Sequence, residues 1–528
     1  MTTTLKAMIL PAVAGTLCLS PLAAPANAAG REGQVIYQTT FDGAGALAGW
    51  AGDGRLESSF TQGGTLAVER RDGPAAGVAA ATHALPCQEV RGCLVLVSAL
   101  VRNEAVTEGP HAVKLMAAVA APSGNEIYQA GIGGGTVNWR QAAVRVFVPR
   151  DATQITLTLG LDNGSVGKAW FDDVKVTVRQ VNAVVTGKLP PAATRFSRVR
   201  GAMIDPNGFK AADAQVLGGQ WNANVVRWQL INAPEAGGAA GWTAYDRWLE
   251  KEIQRLDAML PVLERLGMAV VVDLHSPPGS IFWEATTLLT EPERQNKLIA
   301  VWRQLADHYR GAKNVFGYDL VNEPIDLASP NMAGYDTVPG DARNWWELAD
   351  QTARAIREVD PKTAIIFEPS PGGIPYGWKN LHPLTVSNVV YSLHMYMPYQ
   401  FSHQLVLADF PKPLRYPGFE FCGETWDLAR VKREIQPVID FQQKYGARIY
   451  VGEFSATRWA ADNSAYRYIK DLTDIFEANG WDWCYHAFRE NPCWSVELDE
   501  DKDHPTAKVT ERQKLLRHWF AKNRRPAW

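Results

Sequence analysis

From residue 197 onward, short apolar runs alternate with amphipathic stretches, and no other feature constrains the fold as tightly. The runs cover 199–204, 224–229, 269–274, 317–321, 364–368, 389–393, 449–453 and 481–488. Between most of them, residues 245–266, 291–309, 344–359, 427–445 and 465–479 carry apolar side chains spaced three and four apart, and 512–522 predicts a final helix. Runs this short and this apolar predict strands buried on both faces, and the helical spacing predicts crossover helices. Eight such units over one stretch predict a closed (β/α)8 TIM barrel. A doubly wound sheet would need a glycine-rich loop after its first strand, and Ile204-Asp205-Pro206-Asn207-Gly208 is not one.

Residues 31–180 follow a different grammar. Val113, Leu115, Ala117 and Val119 keep a period of two, as do Val144, Val146 and Val148, and then Ile155, Leu157, Leu159 and Leu161. Glycine-rich turns separate them, and no useful helical period intervenes. The fold class predicted for 29–182 is an all-β jelly-roll sandwich preceding the α/β barrel of 197–528. Residues 183–196, with Pro190-Pro191, read as an extended linker.

Residues 1–28 read as a signal peptide: Lys6, an apolar stretch from Ala7 to Leu22, then Ala26-Asn27-Ala28 as a cleavage site. The expected location is therefore secreted or periplasmic. No later run is long enough to span a bilayer. A net charge of −3 gives nucleic acid or an anionic membrane nothing to bind, so neither is an expected partner. Five cysteines follow the leader. Cys87 and Cys93 flank a turn and form the first candidate disulfide, Cys484 and Cys493 the second, with Cys422 odd. No C-x-x-C or H-x-H spacing exists, so no metal is expected in the barrel.

Polar residues cluster at the ends of the barrel strands. They are Arg227 on the second, His275 after the third, Asn322-Glu323-Pro324 after the fourth, His394 and Tyr396 on the sixth, and Glu453 on the seventh. Asn322 and Pro324 both disfavour a ladder, which predicts that the fourth strand stops with Glu323 at its tip. Glu368-Pro369 on the fifth lacks the preceding Asn and reads as a rim residue or substrate contact rather than a catalyst. Converging polar side chains must pair or serve a function, because burying them otherwise is costly.

This series resembles glycoside hydrolase family 5 over residues 197 to about 490. The resemblance implies a retaining O-glycosyl hydrolase, like an endo-β-glucanase, with Glu323 as acid/base and Glu453 as nucleophile. Glu323 must start protonated, raised by burial and by the neighbouring Glu453 charge. Arg227 and Tyr396 would hold Glu453 charged, Asn322 would meet the sugar 2-hydroxyl, and His275 and His394 would contact hydroxyls or brace the carboxylates. The expected substrate is a β-linked glucan or related carbohydrate. A β-mannanase or an exo-acting β-glycosidase is the alternative, and a carbohydrate-binding protein without catalysis belongs to a different class. No cofactor is required, and a monomer is expected. The eighth strand departs from the family, which usually places Trp where this chain has His486; Trp494 or Trp483 is a candidate to compensate. Trp283, Trp378 and His403 are further candidate sugar contacts. The stretch from Gly167 to Val176, with Trp170-Phe171-Asp172-Asp173, is similar to the last strand of jelly-roll carbohydrate-binding modules. There an Asp pair often lies near a structural calcium; surface aspartates are the other reading.

Overall fold

The computed structural model describes residues 30–43, 45–58, 63–71, 77–109, 111–192, 194–234, 238–279, 285–325 and 343–526. The expected leader lies outside them. The N-terminal part is two antiparallel sheets. One contains Val35–Thr39, Arg55–Ser58, Gly64–Arg70, Leu94–Val106, Gly135–Phe147 and Gly167–Gln180. The other contains Trp50–Gly52, Ala79–Leu85, Val113–Ala120, Glu126–Gln129 and Gln154–Leu161. The period-two residues Leu115, Ala117, Leu157 and Leu159 are fully buried in the apolar core that the facing sides share. Alternation thus does here what it should: one face is covered and the other meets water. Trp170 sits on the outer face, half-buried, its ring capped by Arg102 and Lys168, both at 4.6 Å, and its indole N–H given to Glu57.

Asp172 accepts from the Asp173 backbone N–H at 2.7 Å, and Asp173 accepts from Gln38 at 3.4 Å. Burial, then the nearby charges of Asp42 and Asp173, raise the Asp172 pKa.

The barrel strands are β1 (Arg200–Ile204), β2 (Val225–Gln229), β3 (Ala269–Asp273), β4 (Val315–Asp319), β5 (Ala364–Phe367), β6 (Val389–Met395), β7 (Arg448–Phe454) and β8 (Asp482–Tyr485). All neighbours pair in parallel, and β8 closes on β1. The major helices are α1 (Gly238–Arg265), α2 (Pro292–Tyr309), α3 (Trp345–Val359), α4 (Leu428–Tyr445), α5 (Ser464–Ala478) and α6 (Glu511–Phe520). Helix α3 starts at a capping box of Asn344 and Glu347, and α4 ends at Gly446, whose φ of 66° suits a residue without Cβ. No helix among the described residues is long and apolar enough to cross a membrane.

Along each strand, one parity faces the helices and the other the lumen. Val226, Val270 and Tyr391 belong to the outer core, whereas Val225, Val271, Ile366, Val390 and Tyr450 form a separate inner cluster plugged by Phe196. Two strands break parity. On β4 the register slips between Val315 and Gly317, and on β7 it skips Gly452. An extra residue in one strand flips every side chain that follows. Asp319 and Glu453 therefore point into the lumen, which strict alternation would have denied Glu453. The β4 ladder also ends at Asp319, so Glu323 lies four residues beyond the strand on a loop rather than at its tip.

The connecting stretch is tethered at both ends. Ala183 and Val184 are buried, the Leu189 N–H donates to the Tyr445 carbonyl, and Phe196 closes the barrel floor. The N-terminal sheets dock on α3. Glu347 there is buried between Arg145 (3.0 Å) and Arg179 (2.8 Å), and Gln180 donates to Asp350 at 2.9 Å. The five described cysteines are free. Neither expected pair forms: Cys87 Sγ meets the Ala152 carbonyl, and Cys484 faces the barrel lumen while Cys493 sits in a short 3-10 turn, Pro492–Trp494.

Candidate active site

The lumen is organised by one guanidinium. Arg227 on β2 is fully buried and touches four carboxylates: Glu453 at 2.6 Å, Asp319 and Glu368 at 3.0 Å, and Asp273 at 3.2 Å. It also donates to Asn322 Oδ1 at 3.1 Å. Burial alone would discharge it, but the surrounding acids raise its pKa well above the usual arginine value. Asp319 goes the other way. Burial lifts its carboxyl well above the ordinary range, and the Arg227 charge only partly offsets this.

Glu453 on β7 is buried. Burial pushes its pKa up, yet the charges of His394, His486, Arg227 and His275 overcome that and hold it far below the usual carboxylate range. Its two oxygens are gripped separately, Oε1 by Arg227 and Oε2 by the Tyr396 hydroxyl at 2.8 Å. Tyr396 is itself 2.5 Å from His486 Nδ1. His486 Nε2 lies 3.5 Å from Glu490, which accepts from Gln229 at 3.1 Å. Burial opposes charge on His486, but Glu490 and Glu453 raise its pKa. A charged His486 gives its proton toward Tyr396, which leaves the phenol O–H free to donate to Glu453.

Glu323 is held by its backbone. Its φ is 43°, a left-handed conformation unusual for a side-chain-bearing residue, and its N–H donates to Glu368 Oε2 at 2.8 Å. Its carboxylate meets His394 Nδ1 at 2.9 Å and keeps 22% exposure toward the cleft. His394 Nε2 lies 3.0 Å from Glu368, in ion contact without hydrogen-bond alignment. Burial disfavours a charged His394, but Glu368 and Glu453 drive its pKa well above the histidine norm. His394 Nδ1 and one oxygen each of Glu323 and Glu453 all lie within 4.8 Å of one another. That spacing could grip a cation, but a charged imidazole has no lone pair to offer, so the arrangement suits two-carboxylate chemistry. Gly452 makes room for it: a Cβ there would stand 2.7 Å from His394 Nε2 and 2.9 Å from Ser392 Oγ.

Arg227, Asn322, Glu323, His394, Tyr396, Glu453 and His486 thus converge, joined by His275, which pairs with Asp273 at 2.9 Å. His403 and Trp494 form a wall behind them, their rings 4.9 Å apart and each near Tyr396. Burial, with the His486 charge, lowers the His403 pKa to about 4, so this imidazole is neutral. Trp378 does not join. It is 2% exposed and packs edge-on against Phe441 of α4, on the helix side of the barrel. Trp283 lies outside the described residues. Glu368 is no rim residue; it is fully buried and braces the Glu323 loop. Sequence reasoning missed Asp319, Glu490 and Gln229. Asp319 lay in plain view in Gly-Tyr-Asp-Leu-Val, but without the bulge its direction was unreadable.

The model of the cellulase family, glycosyl hydrolase family 5, matches residues 194–491. Endoglucanase C of Acetivibrio thermocellus is 24% identical over 264 residues, 45% of this chain and 73% of that protein. Cellodextrinase A of Ruminococcus flavefaciens is 22% identical over 237 residues, 44% of this chain and 66% of that protein. A solved structure of Thermotoga maritima Cel5A with cellobiose covers 61% of this chain and 96% of its own, at 22% identity and a TM-score of 0.48. With a family match spanning more than half its length and an arginine-braced pair of glutamates in a closed eight-stranded barrel, the chain belongs to glycosyl hydrolase family 5.

Proposed function

We propose that this protein is a secreted retaining glycosidase that cleaves β-linked glucan by double displacement. The observation that carries the reading is the separation of Glu323 and Glu453, whose nearest carboxylate oxygens lie within 4.8 Å. A nucleophile and an acid/base that share one anomeric carbon need carboxyls about 5–5.5 Å apart, whereas inversion needs about 6.5–9.5 Å to admit water. Glu453, ionised and oriented by Arg227 and Tyr396, attacks the anomeric carbon. Glu323 gives its proton to the glycosidic oxygen as that bond breaks. The resulting ester neutralises Glu453, and Glu323 then takes a proton from water, whose oxygen attacks the anomeric carbon and releases Glu453. Asn322, fixed by Arg227, is the donor for the sugar 2-hydroxyl. A purely binding role for the barrel is disfavoured, because such a role has no use for two braced carboxylates facing each other.

The names of the relatives favour β-glucan. The His486–Glu490 pair, where the family usually has Trp, gives this sugar site a polar, charged wall, so we infer a preference shifted from that of an aromatic-floored cleft. The N-terminal sheets are read as a jelly-roll carbohydrate-binding module. The test is hydrolysis of β-glucan, cellulose, mannan, xylan and aryl-β-glycosides, with Glu323→Gln and Glu453→Ala as controls. Loss of turnover in both, with azide partly rescuing Glu453→Ala to give inverted product, is expected. Wild-type turnover by Glu453→Ala would sink the assignment.

A further inference from the structure

A second cavity, of about 310 Å³, lies between the sandwich and the barrel, and none of the catalytic residues lines it. The sandwich supplies Gln129 and Phe147; the barrel supplies Trp346, Tyr376, Lys379 and His382. Its size is that of small-molecule pockets, which sit preferentially at such domain junctions.

Its polar atoms are unfinished. His382 is 3% exposed, and its Nε2 faces Glu126 at 3.1 Å and the Tyr128 hydroxyl at 3.3 Å. Its Nδ1 is buried with no hydrogen bond. Gln129 Oε1 accepts from Lys114 at 2.8 Å, but its Nε2 is likewise buried and unbonded. His111, which also lines the cavity, has its Nδ1 buried and unbonded as well; buried polar atoms in folded chains are almost always paired, so orphans gathered on one cavity point to something that completes them. Three charged neighbours are already matched, Glu126 facing His382, Arg145 with Glu347 at 3.0 Å and Lys114 with Asp162 at 2.8 Å, and Lys379 lies over the Tyr376 ring at 4.7 Å. An ion would have to compete with these pairs. A neutral molecule that both donates and accepts, and that has apolar faces for the Trp346, Phe147 and Tyr376 rings, matches the walls. A pyranose is such a molecule.

We propose that this interdomain cavity is a second carbohydrate site, taking one neutral pyranose of a β-linked oligosaccharide. The choice of sugar rests on the glycosidase reading, while the cavity and its unpaired atoms do not. Chemistry at the cavity is the same for the end of a polymer chain and for a released oligosaccharide.

The test uses full-length Glu453→Gln protein titrated with cellobiose, mannobiose and xylobiose, followed by calorimetry and by tryptophan fluorescence, since Trp346 lines the cavity. Two sites per chain are expected for at least one sugar. Adding Gln129→Ala and Tyr376→Ala should weaken one of them about tenfold or more, as expected for losing a stacking face and a donor. Circular dichroism and the melting temperature check that these variants fold. A single site that ignores both substitutions, or no binding of any of the three sugars, overturns the proposal. If wild-type hydrolysis is absent but one site persists and is lost with Gln129→Ala, the cavity stands while the glycosidase reading falls. Retention on insoluble β-glucan that the two substitutions abolish assigns the site to polymer; soluble binding without retention assigns it to released product.

Discussion

Replacing Arg227 by Met keeps an unbranched apolar stem but removes the guanidinium whose charge is shared by four acids. Arg227 is wholly buried, and Glu453, Asp319, Glu368 and Asp273 all lie within 3.2 Å of it. Removing one partner of a buried ion pair costs about 3–5 kcal/mol, because the other charge is left without compensation. At about 2 °C per kcal/mol for a large domain, the melting temperature should fall by about 6–10 °C. The pH dependence separates lost charge from lost packing. In the wild type, Glu453 is held below its unfolded pKa, so it adds stability above about pH 4.3 that is lost as pH falls through the folded value. In the variant, acids buried without the guanidinium have folded pKa values raised above their unfolded ones. Their stability is intact below about pH 4.3 and is lost as pH rises through the folded values. The gap between wild type and variant should therefore be small near pH 5 and widest near pH 8, with His394 and His486, both raised by the acids around them, as the remaining cations. Urea melts at both pH values measure it. A gap that does not change with pH would refute the electrostatic account and leave only shape.

Gly452→Ala would force His394 away from Glu323 and Glu453, since the new Cβ would sit 2.7 Å from its ring; kcat should fall by about 100-fold or more, with the fold retained by circular dichroism. Glu347→Ala leaves Arg145 and Arg179 facing the domain seam without their carboxylate and removes half of the α3 capping box. It should cost about 3–5 kcal/mol and make the sandwich susceptible to proteolysis, read by limited digestion and a thermal melt. His486→Phe removes the partner of Tyr396 and one of the charges that depress Glu453. The acid limb of the kcat/KM profile should move to higher pH, which a pH–rate series would detect, whereas a merely structural His486 would leave that limb in place.

Much of this protein is readable without coordinates. The eight apolar runs with helices between them specify the barrel, because strands covered on both sides must be apolar throughout. Asn322-Glu323-Pro324, Arg227, His394, Tyr396 and Glu453 are visible as polar residues where apolar strands end. Strand parity is different. Reading it from sequence assumes an unbroken ladder, and the slips on β4 and β7 exist only in relation to the neighbouring strands. The sequence alone determined that Arg227, Asn322, Glu323, His394, Tyr396 and Glu453 could meet at one end of the barrel, but not that Asp319, Glu368, Gln229 and Glu490 would join them. Which way Asp319 and Glu453 point, that Glu368 lies beneath Glu323 rather than at the rim, that Trp378 faces helix α4, and that Glu347 binds the sandwich were decided by tertiary structure. The physical reason is the same for all four: each depends on a partner far away along the chain, and burial makes the choice of partner all or none.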